Sequence, residues 1–198
     1  MSAVHHTNSV PPDNVGRLCE SAKHLPKRLR RMDVVRDGGC PIYFLTICTA
    51  RRAPLLADTQ THKEFLQFCH RSPEVAGAWV GRYVLMPDHI HAFVSAEGSA
   101  ILSHWVGSLK KTLASHWRKR GHIAPFWQEV FFDHLLRGHE SYQEKWMYVL
   151  QNPVRAGLAA GADQWLFAGD VHPIELSEDQ RRIADSQSRP TSHKVGKC

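Results

Sequence analysis

Residues 77–96 read GAWVGRYVLMPDHIHAFVSA, and this stretch constrains the fold more than any other. Two runs rich in valine, isoleucine, tyrosine, tryptophan and phenylalanine flank Pro87-Asp88. β-branched and aromatic residues favour a pleated strand, and a Pro-Asp break favours a turn, so the segment predicts an antiparallel hairpin. The second run carries His89 and His91. Residues two apart on a strand share a face, so the imidazoles point together while Ile90 points to the other side. With Ile90 toward the core helices, the imidazoles are expected on the opposite, accessible face.

The rest of the chain supplies partners for the hairpin. Residues 41–49, PIYFLTICT, predict a strand. Residues 59–72 place Phe65, Leu66, Phe68 and Cys69 at helical spacing, with a threonine as N-cap. Residues 99–121 predict an amphipathic helix with Leu102, Val106, Leu109 and Leu113 on its apolar stripe and Gly121 as its stop. Residues 126–138 hold either a short strand or an aromatic-rich loop. Residues 139–153 predict a helix ended by Pro153. The order strand, helix, strand, strand, helix, possible strand, helix fits an α+β, ferredoxin-like split β-α-β fold: an antiparallel central sheet with helices packed on one side of it.

Composition sets outer bounds. A chain of 198 residues with 42% hydrophobic content suits one domain with loose ends. We expect a disordered N-terminus over residues 1–17, a folded domain with a basic N-terminal arm over 18–176, and a polar C-terminal tail over 177–198. No apolar run approaches the length of a membrane span, and the polar N-terminus lacks a signal-peptide core, so the expected location is cytoplasmic, with no membrane partner. Five scattered cysteines without a CxxC spacing suggest reduced thiols. A net charge of +6 favours an anionic partner such as nucleic acid.

Paired imidazoles with no cysteine cluster suit a divalent metal that polarises a phosphodiester. Tyr148 and Asn152, four apart on the predicted helix, share a face. A tyrosine oxygen is a nucleophile and an asparagine oxygen a hard ligand. Equally, Tyr148 is an ordinary interfacial aromatic and Asn152 a helix-end residue before Pro153. The residues alone leave both readings open.

Three stretches narrow the choice: VLMPDHIHAFV, FWQEVFFDHLLR and YVLQNPVRAGLA, in this order and spacing. Together with IYFLTICTARRAPLLA, they resemble the REP-associated tyrosine transposases, relatives of the single-tyrosine insertion-sequence transposases among the HUH endonucleases. The resemblance runs from about Arg28 to about Trp165. It departs mildly at Asp88, where the family commonly has asparagine; that carboxylate either tunes a metal or makes the turn. The resemblance implies His89 and His91 as metal ligands, Tyr148 as nucleophile and Asn152 as a further amide ligand. It implies a Mg²⁺ or Mn²⁺ cofactor and a covalent 5′-phosphotyrosine formed on single-stranded DNA hairpins of palindromic repeats, by a monomer more often than a dimer. Candidate DNA contacts are Arg28, Arg30 and Arg31 on the arm, and Lys110, Lys111, Arg118, Lys119 and Arg120 on the long helix. Phe126 and Trp127 are candidate stacking residues, with core packing expected for at least one. The competing readings are a DNA-binding protein of the same fold that no longer cuts, and a metal-dependent phosphohydrolase without a covalent step.

Overall fold

The computed structural model describes residues 41–136 and 139–174. Arg28, Arg30 and Arg31, the basic arm and both expected tails lie outside these residues. The described chain runs β1 (Ile42–Cys48), α1 (Thr59–Ala76), β2 (Ala78–Leu85), β3 (His89–Ala96), α2 (Ser99–Lys119), β4 (Phe132–Leu136), α3 (His139–Leu150), a single turn α4 (Asn152–Arg155) and β5 (Ala168–Asp170). All strand pairs are antiparallel, in the order β4-β1-β3-β2-β5. The first four strands have the order a split β-α-β fold requires, and β3 lies at the centre.

The pleat sorts the core into two layers. Leu45 and Ile47 of β1, with Ile90, Ala92 and Val94 of β3, join Phe65 and Phe68 of α1 and Trp105, Leu109 and Trp117 of α2. The alternate residues, Ile42 and Phe44 of β1 and Phe93 of β3, pack instead with Tyr142 and Val149 of α3. Helices therefore cover both faces. Placing them all on one side fails because Val84, Phe44 and Phe93 make the second face apolar as well, and α3 buries it.

Local chemistry sets the boundaries. Asp58, rather than a threonine, caps α1: its carboxylate accepts from the amides of Gln60 and Thr61. Gly77 ends that helix at φ 58°, a left-handed value that suits glycine. The ambiguous aromatic segment resolves into β4. The strand β5 has almost no β signal of its own and forms by docking on the β2 edge, where Leu85 N donates to Phe167 O and Trp165 Nε1 to Leu85 O. Cys69 is a free, buried thiol, whereas Cys48 is disulfide-bonded, so the expectation of reduced thiols fails for Cys48. Among the described residues no helix is long and apolar enough to cross a membrane.

Candidate active site

His89 and His91 stand on the central strand, on the face that α3 covers. They are not accessible, as the alternation alone suggested, but 3% and 2% exposed. Their rings meet edge to face at 4.7 Å. Each Nδ1 has a partner: Asp88 Oδ1 at 2.7 Å for His89, and Thr46 Oγ1 at 3.0 Å for His91. Each Nε2 is buried with no hydrogen-bond partner. A buried polar nitrogen without a partner is costly, and two of them on adjacent rings need a common explanation.

Electrostatics keep His91 ready to ligate. Burial above all, and then the nearby charges of His89, Arg52 and Lys145, hold His91 well below the usual imidazole range, so it is neutral. Burial pushes the Asp88 carboxyl up, but the His89 hydrogen bond and charge and the Arg52 guanidinium outweigh it and hold the group below its ordinary value. An ionised Asp88 only accepts, so His89 Nδ1 donates, and a ring protonated there alone keeps its lone pair on Nε2. Neutral imidazoles whose other nitrogen is tied to an oxygen are the form that binds metals. The two histidines thus fit a divalent cation. Among the described residues, no third His, Cys, Asp or Glu completes a cluster with them.

The helix α3 lies over this pair. Phe44 stacks on His91 with centroids 5.4 Å apart, and Lys145 Nζ lies 5.4 Å from the centroid of the Phe44 ring. One turn on, Tyr148 is 40% exposed and lines a cleft of about 320 Å³ with His134, Leu136, Glu144 and Lys145.

Asn152 departs from the sequence expectation. The helix α3 ends at Leu150, and after Gln151 Asn152 opens the separate turn α4. It is fully buried, while Tyr148 is half-exposed. Its amide oxygen accepts from Arg155 Nη2, leaving only the donor Nδ2 without a partner. The oxygen that a ligand role would use is thus engaged by Arg155 in this arrangement. Arg155 itself was not anticipated from the sequence. Its Nη2 also donates to the Tyr148 carbonyl, and its guanidinium lies 4.0 Å from the Tyr148 ring centroid. It joins the candidate nucleophile to Asn152 as a physical unit.

Several of the candidate DNA-binding residues are already employed. Phe126 is 4% exposed and packs on Trp117, and Trp127 packs on Trp117 at 5.0 Å while its Nε1 donates to Lys110 O. Phe126 belongs to the core, as expected for at least one of the two, and the partly buried Trp127 packs against it. Lys110 donates to the carbonyls of Gln128 and Glu129, clamping the loop that follows α2. Lys111, Arg118, Lys119 and Arg120 stay exposed, although Arg120 pairs with Asp58 at 3.0 Å. They sit on α2 or, for Arg120, at its C-terminal cap, across the sheet from the histidines. The fold therefore brings His89, His91 and the Tyr148 helix together and leaves the basic helix on the other layer.

A family model described as "Transposase IS200 like" matches residues 41–139, half of the chain. The chain belongs to the IS200-like transposase family. Its activity is accordingly transposase-like. As a member of this family it has relatives at low identity. An uncharacterized protein from Haemophilus influenzae is 23% identical over 161 residues, covering 64% of this chain and 86% of the relative. A REP-associated tyrosine transposase solved bound to a REP hairpin has the same fold: TM-score 0.58, 20% identity, and coverage of 76% of this chain and 96% of that one. A putative transposase from Deinococcus radiodurans is more distant, with a TM-score of 0.41 at 19% identity and coverage of 63% and 95%.

Proposed function

We propose that the protein is a metal-dependent single-stranded DNA endonuclease and strand transferase, with Tyr148 as nucleophile, acting on hairpin-forming palindromic repeats. One observation carries this reading: two buried Nε2 atoms without partners, on adjacent histidines beneath the helix that bears a half-exposed tyrosine. His89 and His91 would hold Mg²⁺ or Mn²⁺, which when bound offsets the charge that builds on a phosphodiester oxygen during displacement.

The chain's own residues supply the rest. The Tyr148 oxygen attacks phosphorus in line, the bond from phosphorus to the 3′-oxygen breaks, and that oxygen leaves and takes up a proton. The 5′ end is then held as a phosphotyrosine. One phosphodiester replaces another, so rejoining needs no nucleotide cofactor. A phenol in water titrates near ~10, so at neutral pH a neighbouring group must receive its proton. Glu144 lines the same cleft. Arg155, braced by Asn152, fixes the plane of the ring and hence the line of approach.

A net charge of +6 supports a nucleic-acid partner, and a relative of the same fold was solved on a REP hairpin. The deciding experiment incubates the full chain with end-labelled hairpins carrying a single-stranded flank, with Mn²⁺, and resolves the products on a denaturing gel. We expect a cut strand and a slower protein–DNA adduct. Tyr148→Phe should lose both while binding the hairpin as before. Hairpin binding by the unaltered chain without cutting or adduct would hand it to the non-cutting, DNA-binding reading. Cutting that persists in Tyr148→Phe would make it a phosphohydrolase.

A further inference from the structure

Asp88 lies in the turn between β2 and β3, and its backbone is already secured without its side chain. Asp88 O accepts from Thr49 N and from Thr49 Oγ1, both at 2.9 Å, and Pro87 O accepts from Leu56 N at 2.9 Å. The carboxylate is therefore free for another task, and both of its oxygens are engaged. Oδ1 accepts from His89 Nδ1 at 2.7 Å, and Oδ2 meets Arg52 Nε at 2.7 Å. Arg52 Nη1 is a further 3.3 Å from Cys48 Sγ.

The arginine reaches this position at a conformational cost. Arg51 and Arg52 hold φ values of 52° and 58°, the left-handed region that side chains avoid, and they are the only non-glycine residues at positive φ among those described. Two successive residues of this kind turn the chain sharply after β1 and bring the Arg52 guanidinium back against Asp88. Strain of this kind persists where surrounding contacts over-determine it, and here the contacts converge on a histidine.

We propose that Arg52 and Asp88 are positioning residues for His89: the carboxylate fixes the Nδ1–H tautomer, which turns the Nε2 lone pair into the site, and the guanidinium holds the carboxylate to that task and out of the coordination sphere. The inference rests on the metal site assigned above. His91 has neutral counterparts, the Thr46 hydroxyl and the Leu45 backbone, where His89 has a carboxylate, so the two imidazoles are not equivalent. His89 carries the more strongly oriented lone pair.

The test uses the full chain and two readouts. Long-range ¹H–¹⁵N spectra of the metal-free protein report which nitrogen of each imidazole bears the proton. In the unaltered protein His89 should be protonated at Nδ1. In Asp88→Ala it should shift toward the Nε2–H form that an unconstrained imidazole prefers. Mn²⁺ titration should show that variant weakened by roughly 10–100-fold, the usual effect of removing a partner of a liganding histidine. Asp88→Asn keeps an acceptor oxygen and should recover most of the affinity and the tautomer. Arg52→Ala, at a partly exposed position, leaves the fold intact and should weaken Mn²⁺ several-fold. Unchanged tautomer and unchanged affinity in Asp88→Ala and Arg52→Ala would overturn the proposal. Should Asp88→Ala fail to fold, Arg52→Ala and Asp88→Asn decide by the same criteria. Failure of the unaltered chain to bind Mn²⁺, with the tautomer still governed by Asp88, would overturn the metal reading and uphold the positioning role.

Discussion

Asn152 shows how a single residue divides two accounts of a site. Its spacing from Tyr148 suggests a ligand; the structure gives its oxygen to Arg155 and buries the rest. The two roles part under mutation. Asn152→Ala should leave Mn²⁺ affinity near that of the unaltered chain if its oxygen serves Arg155 and not the metal. It should slow adduct formation by about tenfold or more, because Arg155 loses its brace and the tyrosine its fixed plane. A matching drop in metal affinity would return Asn152 to the ligand set. The histidines were legible because a period of two is unambiguous on a strand, and Ile90 between them marked the core side. The Asn152 arrangement was not legible, because a period near 3.6 holds only while the helix continues, and it stops at Leu150. Arg155 was hidden for a related reason: its partners lie three and seven residues back, the farther one across the break.

Elements follow the same division between local and tertiary causes. The hairpin, α1 and α2 were legible because each buries a continuous stripe, and Pro87-Asp88 can only be a turn. β5 was not, since Ala168–Asp170 has no strand chemistry and owes its conformation to the β2 edge. The start of α1 depends on one carboxylate. Burial pushes the Asp58 carboxyl up, but the Thr61 hydroxyl, Arg120 and the amides of Gln60 and Thr61 outweigh it and hold it below its ordinary value. Asp58→Ala removes the cap and should cost about 1 kcal/mol at neutral pH, read from urea midpoints. The sign with pH follows from the lowered folded value. The contribution is complete above the ordinary carboxylate range and fades as pH falls through the folded value. The gap between Asp58→Ala and the unaltered chain should therefore stay constant at neutral pH and close in acid. A gap that widened in acid would contradict the assignment.

For the molecule as a whole, the sheet separates charge from chemistry. Lys111, Arg118 and Lys119 lie on α2, on one face, while His89 and His91 lie on the other. If a bound hairpin spans both layers, changing these three residues to alanine should weaken binding and flatten the salt dependence. The log–log slope should fall by roughly 0.7 for each single-strand phosphate that the variant no longer neutralises. An unaltered slope would mean that DNA keeps to the histidine side alone. The two halves of the candidate site also differ in how firmly the fold holds them. The histidines stand on β3, flanked by strands on both sides and buried along its length. Tyr148 follows β4, a five-residue edge strand that is largely unburied, on a helix whose last turn ends in a break. Amide hydrogen exchange should accordingly find β3 opening only with global unfolding, and β4 with the far end of α3 opening earlier. Equal protection of the two would count against this picture. A molecule built this way keeps one half of its site as an anvil and lets the other half move as the hammer.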